Sequence, residues 1–295
     1  MTLIVAIPCQ AAVVIGADSQ VTIGHIRQTA TKVYKLNDNA VWAASGEEAL
    51  IQRVAERIDA FPQRDQPLLT TRDALCMMVR EAVQQLLALD FRTQFFATDP
   101  KALLDLHQGD FLFAEYRNDQ ARILHILING TPEWIAGRPA ATGNGSLFAH
   151  ALLTKYGGTQ MVCDRAELLT YKIIEEAIQV GAYGLGPPID IWSIDAAGVR
   201  RAAEERIAGL EDSARLLRQQ EVDLLLMGPG QAAGLLSCPP APMMNLFPPR
   251  YRPVVMARPR FWRVASGRRR TCYRPRTPAR LVRHSTSPLP PARQF

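Results

Sequence analysis

The first chemistry this sequence offers is a hydroxyl folded back onto an acid. Leu3–Pro8 and Ala12–Ala17 are apolar runs rich in β-branched residues, and the break at Cys9–Ala11 between them predicts a β-hairpin. If the hairpin turns about Gln10, residues whose numbers sum to about 20 face each other, which sets Thr2 across from Asp18. Other reactive side chains are less organised. The cysteines Cys9, Cys76, Cys163, Cys238 and Cys272 are odd in number, scattered and without a C-x-x-C pair, suggesting neither a disulfide framework nor a zinc site. They read as small core or loop residues. His25, His107, His125, His150 and His284 have no metal spacing, and no G-x-x-x-x-G-K-[ST] phosphate loop occurs. No metal or cofactor is expected.

The elements that must position Thr2 and Asp18 follow from periodicity. Strands are predicted at Lys32–Leu36 and Ala40–Ser45, joined by the turn residues Asn37, Asp38 and Asn39, and Gly46 ends the second. From Glu47 the pattern turns helical, with Leu50, Ile51, Val54 and Ile58 on one face. A second helix, about Thr71 to Asp90, is followed by strands at Asp110–Arg117, Ala121–Ile128 and Glu133–Ala136. TGNG then opens a helix over Ser146–Tyr156, and Asp164 caps another that runs to Gln179. Ile189–Asp195 is the last strand, before a charged helix around Val199–Gln220. Strands, two helices, strands, two helices and a strand predict an α+β fold, a four-layer αββα sandwich.

The segments TLIVAI, VVIGADSQVT, TKVYKL and WAASGEEA, continued by ATGNGSLFAHALL, IEEAI and IDIWSID, resemble the proteasome β-subunit family of N-terminal nucleophile (Ntn) hydrolases and its bacterial ring-forming relatives. The resemblance covers roughly residues 2–195. It implies that Thr2 is the nucleophile, freed by removal of Met1, and that its own α-amine is the base, with an unperturbed pKa of ~7.7–8.0. It gives Lys32 the task of lowering that pKa and Asp18 that of holding Lys32 ionised and aimed. Gly46 would present its N–H to the oxyanion, Thr22 would pair with substrate backbone, and Val21 and Ala44 would line a pocket for apolar side chains. Two departures stand out. Asn144 replaces the serine that active members place between the two glycines, with Ser146 two residues on. The Asp-x-x-Ser before the last strand is also lost, Ala182 and Leu185 standing there. Asn144 is read as a substitute hydrogen-bond partner. Taken singly, Asp18 also suits a strand-end turn, Lys32 an exposed edge and Gly46 a strand terminus.

Composition bounds the alternatives. The chain has 295 residues, 47% of them hydrophobic and 21% charged, enough for one large domain and too apolar for a fibrous or wholly disordered protein. No run approaches the ~18–20 apolar residues of a membrane span, and no secretory signal opens the chain, so a cytoplasmic protein with no membrane partner is expected. The net charge of +6 is uneven. Residues 231–295 hold 13 arginines, 12 prolines and no lysine or acid, which leaves 21 basic against 28 acidic side chains, a balance of −7, in residues 1–230. The domain is therefore assigned to 1–230 and a disordered Arg/Pro-rich tail to 231–295. Tyr251, Phe261, Trp262 and Tyr273 among the arginines would suit RNA, but the acidic body argues against nucleic acid as a partner. The expected function is a threonine peptidase acting on peptides or unfolded protein inside a ring or spiral of identical subunits, with an ATPase unfoldase as a further partner. A silent assembly subunit and a small-molecule amidase or acylase of the same fold are the alternatives.

Overall fold

The computed structural model describes residues 2–23, 26–86, 109–156, 161–181 and 184–226. The tail 231–295, residues 87–90 of the expected second helix, and Ala182 lie outside the described residues. One sheet is built from β1 (Ile4–Cys9), β2 (Ala12–Asp18), β10 (Ala140–Thr142), β11 (Ile189–Asp195) and β12 (Gly198–Arg201), in the order β10-β1-β2-β11-β12. The other contains β5 (Val33–Asn37), β6 (Ala40–Gly46), β7 (Gly109–Arg117), β8 (Gln120–Leu127) and β9 (Pro132–Ile135) in sequential order. The pairings among these described strands are antiparallel. A separate two-stranded ribbon joins β3 (Gln20–Ile23) to β4 (Ile26–Thr29).

Alternation along the central strands explains the stacking. Ile4 and Ala6 of β1, Val13 and Ile15 of β2, Val41 and Ala43 of β6, and Leu112 and Ala114 of β7 form one core between the two sheets. Their neighbours point the other way. Trp42, Ala44, Phe111 and Phe113 are covered by α1 (Glu48–Asp59) and α2 (Leu68–Gln85). Leu3, Val5, Ile7 and Val14 are covered by α3 (Ser146–Tyr156), α4 (Cys163–Gln179) and α5 (Glu204–Leu226). A strand apolar on both faces needs cover on both sides. The result is the four-layer αββα sandwich.

The structure corrects four details. Asp164 lies in the first turn of α4 rather than capping it, the N-cap being Val162 with no side-chain hydrogen bond. The β1–β2 hairpin pairs Ile4 with Ala17 and Cys9 with Ala12, a register sum of 21 rather than about 20, because the loop is the two residues Gln10 and Ala11, with Ala11 at φ 54°. The register thus sets Leu3, not Thr2, opposite Asp18. The charged helix expected around Val199–Gln220 begins only at Glu204, since Val199–Arg201 pairs with β11 as a hairpin strand. The second helix begins at Leu68, three residues early, where buried Glu115 of β7 accepts the Leu68 N–H at 3.0 Å. That bond satisfies one of the amides a helix start leaves open.

Candidate active site

Asp18, at the end of β2, is fully buried and held by four donors. Its Oδ1 accepts the Leu3 N–H at 2.9 Å and Lys32 Nζ at 2.8 Å; its Oδ2 accepts the N–H groups of Gln20 and Gly186, both at 3.3 Å. The backbone closes the same junction, with Asp18 N–H donating to the Leu3 carbonyl at 3.2 Å. A carboxylate caged in this way fixes the chain one residue beyond Thr2. The register shift therefore turns the expected Thr2–Asp18 pair into an indirect one, running through Leu3 and Lys32.

Lys32 precedes β5 and is 5% exposed. Its ammonium also donates to the Gln20 carbonyl at 2.7 Å. Burial pushes its pKa below the ordinary lysine value, while the charge and hydrogen bond of Asp18 pull it back up without cancelling the shift. Thr2, 7% exposed, lines a cavity of 130 Å³ together with Lys32, Gly46, Val21 and Ala44. Five of the eight expected site residues thus share one cavity, and Asp18 stands behind it on Lys32.

Two glycines shape the approach to Thr2. Gly46 ends β6 with φ 128°, a backbone conformation closed to most side chains, and the chain passes from it into α1. Gly143, with φ 89°, lies so close to the terminus that a Cβ there would stand 2.2 Å from the Thr2 carbonyl oxygen. Gly145 N–H donates to that same oxygen at 3.4 Å. The TGNG segment is thus a backbone clamp on Thr2. Asn144, between the two glycines, points its side chain to solvent and makes no hydrogen bond to another described residue. Thr22 is exposed on β3, within 3.5 Å of Gln20 Nε2, and Leu185 is buried in the helix-side core.

Several participants carry no signal in the sequence. Leu3, Gln20 and Gly186 act through backbone N–H groups, which every residue but proline has. Gln20 also ties the site to the turn before β11, its Nε2 donating to the Gly184 carbonyl at 2.7 Å. Tyr34, Glu48, Ile51 and Gln52 join the cavity wall from β5 and α1, and Gln52 Nε2 donates to Glu48 Oε1 at 3.2 Å. Behind the clamp, Thr142 Oγ1 donates to Asp110 Oδ2 at 2.8 Å, and Asp110 Oδ1 lies 3.5 Å from His125 Nε2. Burial alone would raise the Asp110 carboxyl, but His125 and Thr142 outweigh it and carry the pKa below its ordinary value. Among the described residues no group of histidine, cysteine or acidic side chains could hold a metal ion, and no helix is long and apolar enough to cross a membrane.

Two antiparallel sheets stacked between helical layers, with a threonine beside the first strand and a lysine on the wall of its cavity, define the Ntn-hydrolase class of sandwich. The family model described as proteasome subunit matches residues 2–187, more than half of the chain, and the protein belongs to that family. No curated protein matches the chain.

Proposed function

We propose that the chain is a proteasome-like threonine peptidase whose nucleophile is Thr2, exposed by removal of Met1. The observation that carries this reading is Lys32, a buried ammonium held by Asp18 and the Gln20 carbonyl on the wall of the cavity that Thr2 lines. A fixed positive charge there favours the neutral form of a nearby amine. The amine of Thr2 takes the Oγ proton, directly or through water, as Oγ attacks the substrate carbonyl carbon. The N–H of Gly46, backed by the first turn of α1, stabilises the oxyanion. The leaving amine departs with the proton, and water then hydrolyses the ester.

The cavity is walled by Val21, Ala30, Ala44, Tyr34 and Ile51, with Glu48 and Gln52 exposed at its rim. It suits an apolar side chain, or one with an apolar stem and a hydrogen-bonding tip. The exposed Leu69, Leu147 and Leu216 of α2, α3 and α5 support burial against identical subunits in a ring or spiral, where a compartment would admit only unfolded peptide. The cytoplasm is the proposed location, and an ATPase unfoldase the proposed supplier of substrate.

The test combines intact mass and N-terminal sequencing with hydrolysis of fluorogenic peptide amides. A Thr2 terminus is expected, with hydrolysis that Thr2→Ala abolishes while the folded state is retained. A retained Met1, or wild-type turnover in Thr2→Ala, overturns the reading. A second reading, a silent assembly subunit, is favoured by the solvent-facing Asn144 and the buried Leu185 where active members place polar support. It predicts assembly without turnover.

A further inference from the structure

The fold brings together two cysteines that stand 154 positions apart. Cys9 is the last residue of β1 and Cys163 the first of α4. Next to them, Gln10 N–H donates to the Met161 carbonyl at 2.8 Å, tying the β1–β2 turn to the chain that enters α4. The two side chains lie close enough to interact directly. Both are partly buried at the margin of the helix-side core, and Val162 beside Cys163 is half exposed. The pair is neither sealed from solvent nor separated by packing.

We propose that Cys9 and Cys163 are a reversible redox site that forms an intramolecular disulfide on reaction with a hydroperoxide. The site is independent of the chemistry at Thr2. The environments of the two sulfurs differ. Cys163 has its pKa lowered, first by the hydrogen bond from Cys9, against burial and the charges of Glu167, Asp164 and Asp195. Cys9 is pushed up by donating that bond and by burial. Cys163 is the first residue of a 17-residue helix, whose N-terminus favours an anion, and this position assigns it as the attacking thiolate and Cys9 as the resolving thiol.

The thiolate Sγ of Cys163 attacks one peroxide oxygen; the O–O bond breaks, leaving a sulfenic acid and a hydroxide. The Cys9 sulfur then attacks Sγ of the sulfenic acid. The S–O bond breaks as the S–S bond forms, and the Cys9 proton leaves with the hydroxyl group as water. Two electrons pass from the thiols to the peroxide, and a dithiol reductant reverses the product. The disulfide fastens the hairpin whose first strand follows Thr2 to the helix packed on its outer face. It also closes a very long loop, which restricts the unfolded chain.

The experiment treats the reduced full chain with hydrogen peroxide, blocks remaining thiols with N-ethylmaleimide, and maps tryptic peptides with and without reduction. The expected product joins the peptide ending at Arg27, which contains Cys9, to Tyr156–Arg165, which contains Cys163. Reduction should abolish it, and the oxidised protein should melt ~5 °C or more above the reduced one. In Cys9→Ser the sulfenic acid at Cys163 should persist and be trapped by dimedone. Recovery of both peptides separately alkylated overturns the proposal. So does a link from Cys163 to Cys76, Cys238 or Cys272, or dimedone labelling of Cys9 in Cys163→Ser with none of Cys163 in Cys9→Ser.

Discussion

Replacing Lys32 by methionine keeps the stem and removes the ammonium, and the surroundings set the outcome. At 2.8 Å the Lys32–Asp18 attraction amounts to ~6 kcal/mol at an effective dielectric constant of about 20, offset by the desolvation of two buried charges. Removing one member of such a pair costs roughly 3–5 kcal/mol because the other stays buried. Asp18 keeps three backbone N–H donors, from Leu3, Gln20 and Gly186, so the lower end is expected, about 3 kcal/mol. That corresponds to a melting temperature lower by ~6–12 °C in a domain of this size. Peptide hydrolysis should fall by at least ~10²-fold, since the amine of Thr2 would be protonated near neutral pH and lose its fixed partner. Adding Asp18→Asn separates the two effects. The double variant removes the stranded charge and should regain part of the stability, but only part, because the amide nitrogen must face an N–H. It should regain no activity. Thermal denaturation and kcat/KM are measured on the wild type and both variants. Turnover of Lys32→Met within ~3-fold of wild type, or recovery of activity in the double variant, would refute a catalytic role for the ammonium and leave a structural ion pair.

The remaining predictions concern pH, backbone space, assembly and the tail. Because burial lowers the Lys32 pKa below 10.5, the unfolded chain binds more protons between the lowered value and 10.5, so this group's contribution to stability rises with pH in that window. Activity should fall there as the ammonium is lost, and circular dichroism alongside the pH–rate profile would show the alkaline limb preceding unfolding; a limb that coincides with unfolding contradicts this. Gly143→Ala places a methyl 2.2 Å from the Thr2 carbonyl oxygen at positive φ, and should abolish hydrolysis and destabilise the fold by at least ~2 kcal/mol, read by urea denaturation. Sedimentation at micromolar concentration should report an oligomer, and a 32.7 kDa monomer alone would favour an amidase acting singly. Deleting residues 231–295, with 13 uncompensated arginines and 12 prolines, should leave assembly and hydrolysis unchanged; loss of either would give the tail a role.

The layers were legible in the chain because hydrophobic alternation is local. β11 is the strand IDIWSID as read, α3 spans Ser146–Tyr156 as read, and the double-sided burial of β2 follows from its unbroken apolar run. The short strands β3, β4, β10 and β12 escaped, being three or four residues long and paired through backbone groups that have no residue code. Residue types and the family pattern sufficed to nominate Thr2, Lys32, Gly46, Val21 and Ala44, which share one cavity. Asn144 was nominated on position alone, and its side chain faces solvent because the flanking glycines, not the residue between them, meet Thr2. Tertiary structure alone decided the cage around Asp18, where one residue of register moved the carboxylate from Thr2 to the Leu3 N–H and a turn from 168 positions away supplied the Gly186 donor. It alone also joined Cys9 to Cys163. Both are contacts between segments distant in the chain, made by close packing of sheet and helix, and no local pattern of residue types encodes such a meeting.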